Sequence, residues 1–315
     1  MVDPRRAFHA TDGSAQGYRD YMVTVREFRA ELRQIYRRGY VLVHPERIAR
    51  PGPGGVMRYR RIMLPPGKTP LVLSVDDVSY YEYMTGDGFA TDLFVAPDGT
   101  IENHYVDARG RRLVGAYDVV PIVDDFVRAH PDFSYRGDKG TIALTGYNGV
   151  LGYRSSTYEY GDTPATRQAR SRATVVATAL KADGWHFANH TWGHIDTTAV
   201  GMDRLRWDTR EWNAEVGRIV GPTREFVFPF GADISGVTPY ADTDPEYRFL
   251  HEHEGYAYFF GVDATRLAWQ QVAAGSLRQA RIDMDGITLE RALHARDPVI
   301  GAFFDPHTVV DPRRP

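Results

Sequence analysis

Two short runs of this 315-residue sequence hold side chains from which a hydrolytic metal centre can be built. Asp76 and Asp77 follow the apolar run LVLSV (71–75). His190 and His194 bound HTWGH, which begins where the run HFANH (186–190) ends. One carboxylate and two imidazoles form a three-ligand set that leaves coordination positions open for water and substrate. Two His four apart share a face of a helical turn and can reach one ion. Alone, each run has a plainer reading: an Asp pair at a strand end caps a turn, and His pairs arise by chance. Position raises their significance, because both follow an apolar strand and in a parallel sheet both project from one rim. Adjacent residues of a strand point to opposite faces, so both Asp can act there only if the strand stops at them.

The bulk composition narrows the chemistry. With no cysteine, a disulfide scaffold, a zinc finger and a thiol nucleophile are excluded. Any metal site must use His and carboxylate, which suits a hydrolytic divalent ion. The 38 basic and 41 acidic side chains leave a formal charge of −3, which argues against a broad nucleic-acid surface. No apolar run reaches the roughly 18–20 residues of a membrane helix. The opening MVDPRRAFHA lacks the apolar stretch of a secretory signal.

The elements that must position these side chains follow from periodicity. Residues 1–69 read as an N-terminal segment. Phe28, Leu32, Ile35 and Tyr36 fall at helical spacing behind Thr24 as N-cap, YVLVH follows as a short strand, and RPGPGG forms a loop. From residue 70 to 315, seven buried strands are predicted: LVLSV, TIALTG (141–146), HFANH, EFVFPF (225–230), YAYFFGV (256–262), ARIDM (280–284) and PVIGAFF (298–304). Amphipathic helices fall between most of them, as in VVPIVDDFVRAH, SRATVVATALKADGW and Met202 to Val220. Apolar strands alternating with helices imply parallel pairing. The expected fold is therefore α/β, a distorted or incomplete (β/α) barrel of about seven parallel strands with its chemistry at their C-terminal ends. Residues 79–116 break the rhythm; the turns APDG and DARG predict an inserted β-meander, placed to overhang the site as a lid.

The order of motifs resembles the polysaccharide deacetylase family with the NodB-homology domain, carbohydrate esterase family four. SVDD is similar to its first motif, T-F-D-D-G, and HTWGH matches its second, H-S/T-x-x-H. FPFGAD (228–233) is similar to its third, R-x-P-Y-G. The resemblance spans about residues 70–305. It implies Asp76 as base towards a water activated by the ion, and Asp77, His190 and His194 as metal ligands. It also implies the Phe230 N–H as oxyanion donor, with Trp192, Pro229, Gly231 and Asp233 lining a substrate groove. Zinc is the expected ion, with cobalt, nickel or manganese as alternatives. The implied substrate is an N-acetylglucosamine polymer such as peptidoglycan or an exopolysaccharide. The implied location is extracellular or at the cell surface, with any signal or anchor lying outside these residues or removed.

Three departures mark the chain. Val78 stands in place of the first motif's glycine, and Val227 in place of the third motif's Arg. The last predicted strand runs into FFDPH, so the general acid falls to Asp305 or His307. Asp283 and Asp285 end the sixth predicted strand and point towards the mouth. HEHEGY (251–256) reads as a solvated helix end, and His44, His104 and His186 read as surface or satisfied core positions. Two alternatives stand beside the polymer deacetylase. A related hydrolase of a small amide would need a closed pocket in place of an open groove. A non-catalytic carbohydrate-binding or wall module would have little use for four convergent ionisable groups.

Overall fold

The computed structural model describes residues 1–262, 266, 269–273, 275–295 and 297–315. Five apolar runs hold the parallel strands β1 (Ser74–Asp76), β2 (Thr141–Leu144), β3 (His186–Asn189), β4 (Glu225–Val227) and β5 (Tyr258–Val262); beyond β6 (Gln270–Val272), a sixth parallel strand, β7 (Leu277–Arg281), starts before the expected run ARIDM and overlaps it only at Ala280 and Arg281. The sheet order is β6-β7-β5-β4-β3-β2-β1, and among the described residues only the edge strand β6 pairs antiparallel. β1 stops at Asp76, and Asp77 adopts a left-handed conformation (φ 58°). Both carboxylates are thereby released from strand alternation.

The sheet curls into a half-barrel, as a single side-chain contact demonstrates. Arg281 at the end of β7 lies 2.8 Å from both carboxylate oxygens of Asp76 on β1. β5, β4, β3 and β2 intervene, so a flat sheet would hold these strands roughly 24 Å apart at about 4.8 Å per step. No arginine spans that distance. Helices α1 (Val25–Arg37), α2 (Val119–Ala129), α3 (Pro164–Ala182), α4 (Met202–Trp212) and α5 (Gly286–His294) supply the outer layer. Thr24 caps α1 through a reciprocal capping box with Glu27, and Phe28, Leu32 and Ile35 bury one stripe in the main core. The boundary expected at residues 69/70 falls within a parallel pair, Tyr40–Leu42 with Thr69–Leu71. Among the described residues no helix is long and apolar enough to cross a membrane.

One expectation is corrected. PVIGAFF is not a strand. Asp297 accepts the N–H groups of Val299 and Ile300 and starts a 3-10 turn, Ile300–Ala302. Ile300, Phe303 and Phe304 are buried at i, i+3 and i+4, a helical spacing that a short apolar run does not distinguish from a buried strand. β6 completes the seven strands instead. The meander forms as a three-stranded sheet (Ala90–Val95, Ile101–Val106, Arg112–Gly115), and it packs against α2 and α3. Leu93 and Ile101 join the main core.

Glu31, on the buried face of α1, is 1% exposed, and neither carboxylate oxygen has a hydrogen-bond partner among the described residues. Burial, reinforced by Glu27 and opposed by Arg314, pushes its carboxyl up to about 8. A raised carboxyl pKa gives stability that is complete below the unfolded value and lost as pH rises through the folded one. Glu31→Gln is therefore expected to match the native protein at pH 4 and exceed it at pH 9, by on the order of 2 kcal/mol or more. Denaturant midpoints that run parallel across this pH range would show that Glu31 does not fold as the neutral acid.

Candidate metal centre

At the C-terminal ends of the strands the two sequence runs meet. Asp77, His190 and His194 each offer a ligand atom, all within 4.8 Å of one another. His194 Nε2 lies 3.6 Å from Asp77 Oδ2, and His190 Nε2 lies 3.7 Å from Asp76 Oδ2. These separations are too long for hydrogen bonds. The separation between His194 and Asp77 lies close to the ~3.4 Å between ligand atoms of a tetrahedral centre with ~2.1 Å bonds. The donor set suits a divalent ion such as zinc. His190 is buried as the floor of the cluster, while Asp76, Asp77 and His194 stay partly open to solvent.

Neighbouring groups fix each imidazole. The Val227 carbonyl accepts from His190 Nδ1 at 2.7 Å; a carbonyl only accepts, so Nδ1 carries the proton and Nε2 is left with its lone pair. Burial, with His190 adding, holds His194 below its ordinary value despite Asp77, which keeps it a neutral donor. HTWGH is a bend rather than the expected helical turn: Thr191 and His194 are both left-handed (φ 60° and 50°). Buried Asp208 of α4 accepts the N–H groups of Trp192 and Gly193, and Asn189 accepts that of Thr191 at 2.6 Å. A left-handed β-branched residue is strained, and Asp77, Thr191, His194 and Phe230 all carry such backbones around this one cluster. Strain gathered in one place marks a geometry that the surrounding contacts impose.

The two carboxylates are held differently. Burial alone would raise Asp76, but Arg281, followed by His190, holds it below the ordinary carboxylate range. Arg281 also donates to Ser74 Oγ at 3.2 Å. Asp77 Oδ1 instead accepts from the Tyr81 hydroxyl at 2.6 Å. No family model, curated protein or solved structure matches this chain.

The remaining expected residues divide. Phe230 is left-handed (φ 58°) and 70% exposed, and its ring lies 4.5 Å from that of His194. Gly231 cannot carry a side chain, since a Cβ would sit 2.4 Å from Val262. Pro229 is buried. Asp233 does not line a groove: Arg278 and Tyr240 hold it at 2.9 Å each, and it accepts from the Ser235 N–H. Trp192 is buried, with Tyr158 and Trp207 edge-on against it. Asp305 and His307 lie away from the cluster. The Asp305 N–H donates to Gln34 of α1, and its carboxylate caps the short helix Pro306–Val309 packed on α1. That placement follows from the lost seventh strand.

A second cluster, His44, His186 and Glu225, lies at the opposite end of the strands. Its geometry differs: His44 Nε2 is 2.6 Å from Glu225 Oε1, a direct hydrogen bond, and Thr141 Oγ1 donates to Glu225 Oε2 at 2.8 Å. The two rings stack face to face at 3.4 Å and 20°, so their lone pairs run parallel instead of converging. Burial, with His44 alongside, pushes His186 down to about 4. This is a satisfied core cluster.

Arg281 was missed in the sequence because its partner lies on a distant strand. Arg281→Met is expected to destabilise the fold by about 1.5–3 kcal/mol, the range for a charged hydrogen bond. The readout is the urea midpoint. If it does not move, the contact does not help to close the sheet.

Proposed function

We propose that this chain is a metal-dependent hydrolase that removes N-acetyl groups from an extracellular polysaccharide. The observation that carries the reading is the convergence of Asp77, His190 and His194, with Asp76 beside them but tied to Arg281. A divalent ion, when bound by these three ligands, supplies Lewis acidity that polarises a carbonyl and lowers the pKa of water, by as much as about 9 units in the best case. Asp76, ionised and steered by Arg281, accepts the proton of the attacking water. The Phe230 N–H donates to the carbonyl oxygen as it gains charge; donors of this kind contribute roughly 3–4 kcal/mol.

The departing amine needs a proton, and Asp305 and His307 are too far away to give one. Asp283, two residues beyond Arg281 at the end of β7, suits the task better. Burial raises its pKa, with Asp285 and Asp76 adding against the pull of Arg281, so it retains a proton more readily than an open carboxylate. A saccharide substrate is supported by the aromatic rings near the cluster. Phe230 abuts His194 and Tyr83 stacks on Tyr81, both largely exposed, and such faces pack against the C–H side of a sugar ring. The partly open ligands favour a polymer over a small amide.

The test combines elemental analysis of the purified protein with acetate release from chitin oligomers and peptidoglycan, for the native chain and Asp283→Asn. The expected result is one divalent ion per chain, acetate from at least one polymer, and a lower kcat with unchanged metal content in the variant. Bound metal with no acetate release from any N-acetylated glycan would overturn the substrate assignment. An unchanged kcat would remove Asp283 from the mechanism.

A further inference from the structure

Val78, which stands in place of the first motif's glycine, opens a segment to Met84 that follows β1. The segment makes a short 3-10 turn (Glu82–Met84) and turns Tyr81 back towards the cluster. Tyr81 is 2% exposed and is sandwiched in a stack of three nearly parallel rings. Tyr147 lies on one side at 4.6 Å and 6°, and Tyr83 on the other at 5.5 Å and 10°. The stack holds the ring in place, with its hydroxyl between Asp77 and Thr145.

The direction of that hydrogen bond is fixed by chemistry. An ionised carboxylate only accepts, so Tyr81 donates to Asp77 Oδ1. Its remaining lone pair faces the buried Thr145 hydroxyl, which donates to it. Asp77 is thus gripped by one oxygen while the other, Oδ2, is turned to His194 Nε2 at 3.6 Å. Without the phenol, Asp77 on its left-handed backbone has no side-chain donor to choose between its two oxygens among the hydrogen bonds described.

We propose that Tyr81 is a positioning residue for the metal centre: its hydroxyl selects the carboxylate oxygen that Asp77 presents to the ion and so sets the affinity of the site. The inference rests on Asp77, His190 and His194 holding a divalent cation, as argued above, and extends it to a residue outside the ligand set. Outer partners of metal ligands typically account for 10–100-fold in affinity.

Tyr81→Phe tests this with little disturbance, because it keeps the stacked ring and removes one oxygen atom. The metal-stripped native protein and variant are titrated with zinc against a chromophoric chelator, and thermal unfolding of both metal-free proteins is followed in parallel. The expected result is a 10–100-fold weaker zinc Kd in the variant. A merely structural role would lower the metal-free Tm and leave the zinc Kd within twofold, which overturns the proposal. Thr145→Val, which removes the donor behind Tyr81 but leaves the phenol, is expected to weaken zinc less than Tyr81→Phe; an equal or larger loss would shift the role to Thr145. If the native protein itself takes up no zinc, cobalt, nickel or manganese, the metal reading fails first, and this inference with it.

Discussion

Asp77→Ala is expected to leave the protein folded but without its ion. The substitution removes the only carboxylate of the three-ligand set and leaves two imidazoles, one buried and one partly open. Affinity should fall by more than the roughly 10–100-fold that loss of an outer partner costs, because a direct ligand and its charge both disappear. Elemental analysis after dialysis reads the outcome directly, and acetate release should vanish with the metal. Full retention of a stoichiometric ion by this variant would remove Asp77 from the ligand set.

Asp76→Asn should behave in the opposite way. The amide keeps the shape of the side chain and still offers Arg281 an acceptor oxygen, so metal content should be unchanged. It cannot accept a proton, and kcat should drop by roughly 10²–10⁴, the usual contribution of a positioned general base. The two adjacent variants thus separate binding from chemistry: one loses the ion and the other keeps it idle. Turnover equal to that of the native protein in Asp76→Asn would end the role assigned to Asp76.

Much of the framework was legible because strand and helix signals are local. The apolar runs of β1 to β5, the helices between them, the capping box at Thr24 and the meander turns can all be read from a few consecutive residues. That Asp77, His190 and His194 would meet was legible for a related reason: each run lies at the end of a strand, and parallel strands share a rim. PVIGAFF misled because seven apolar residues suit a buried strand as well as a tight helical turn, and Asp297 decides between them through its capping bonds. With that strand lost, Asp305 and His307 moved from the expected mouth to the side of α1.

The contacts that tune the site were not legible because they are long-range. Arg281 reaches Asp76 only once the sheet curls, 205 positions along the chain. Asp208 holds the HTWGH bend from the middle of α4. The Val227 carbonyl orients His190 through the main chain, so no side-chain motif could announce it. The stacked pair His44–His186 joins the N-terminal segment to β3 in the same way.

β3 carries a further implication. His186 and His190 are four positions apart, an even number, so strand alternation puts them on the same side as Ala188. Between them Ala188, with Ala143 of β2 and Val227 of β4, fills the interior with small apolar groups. Deleting one residue from this stretch would invert the parity of everything beyond it and turn the downstream imidazole towards the helices. Deleting two would restore parity but shorten the strand by about 7 Å. The short segment joining the two histidines therefore acts as a ruler that sets how the two clusters stand to one another.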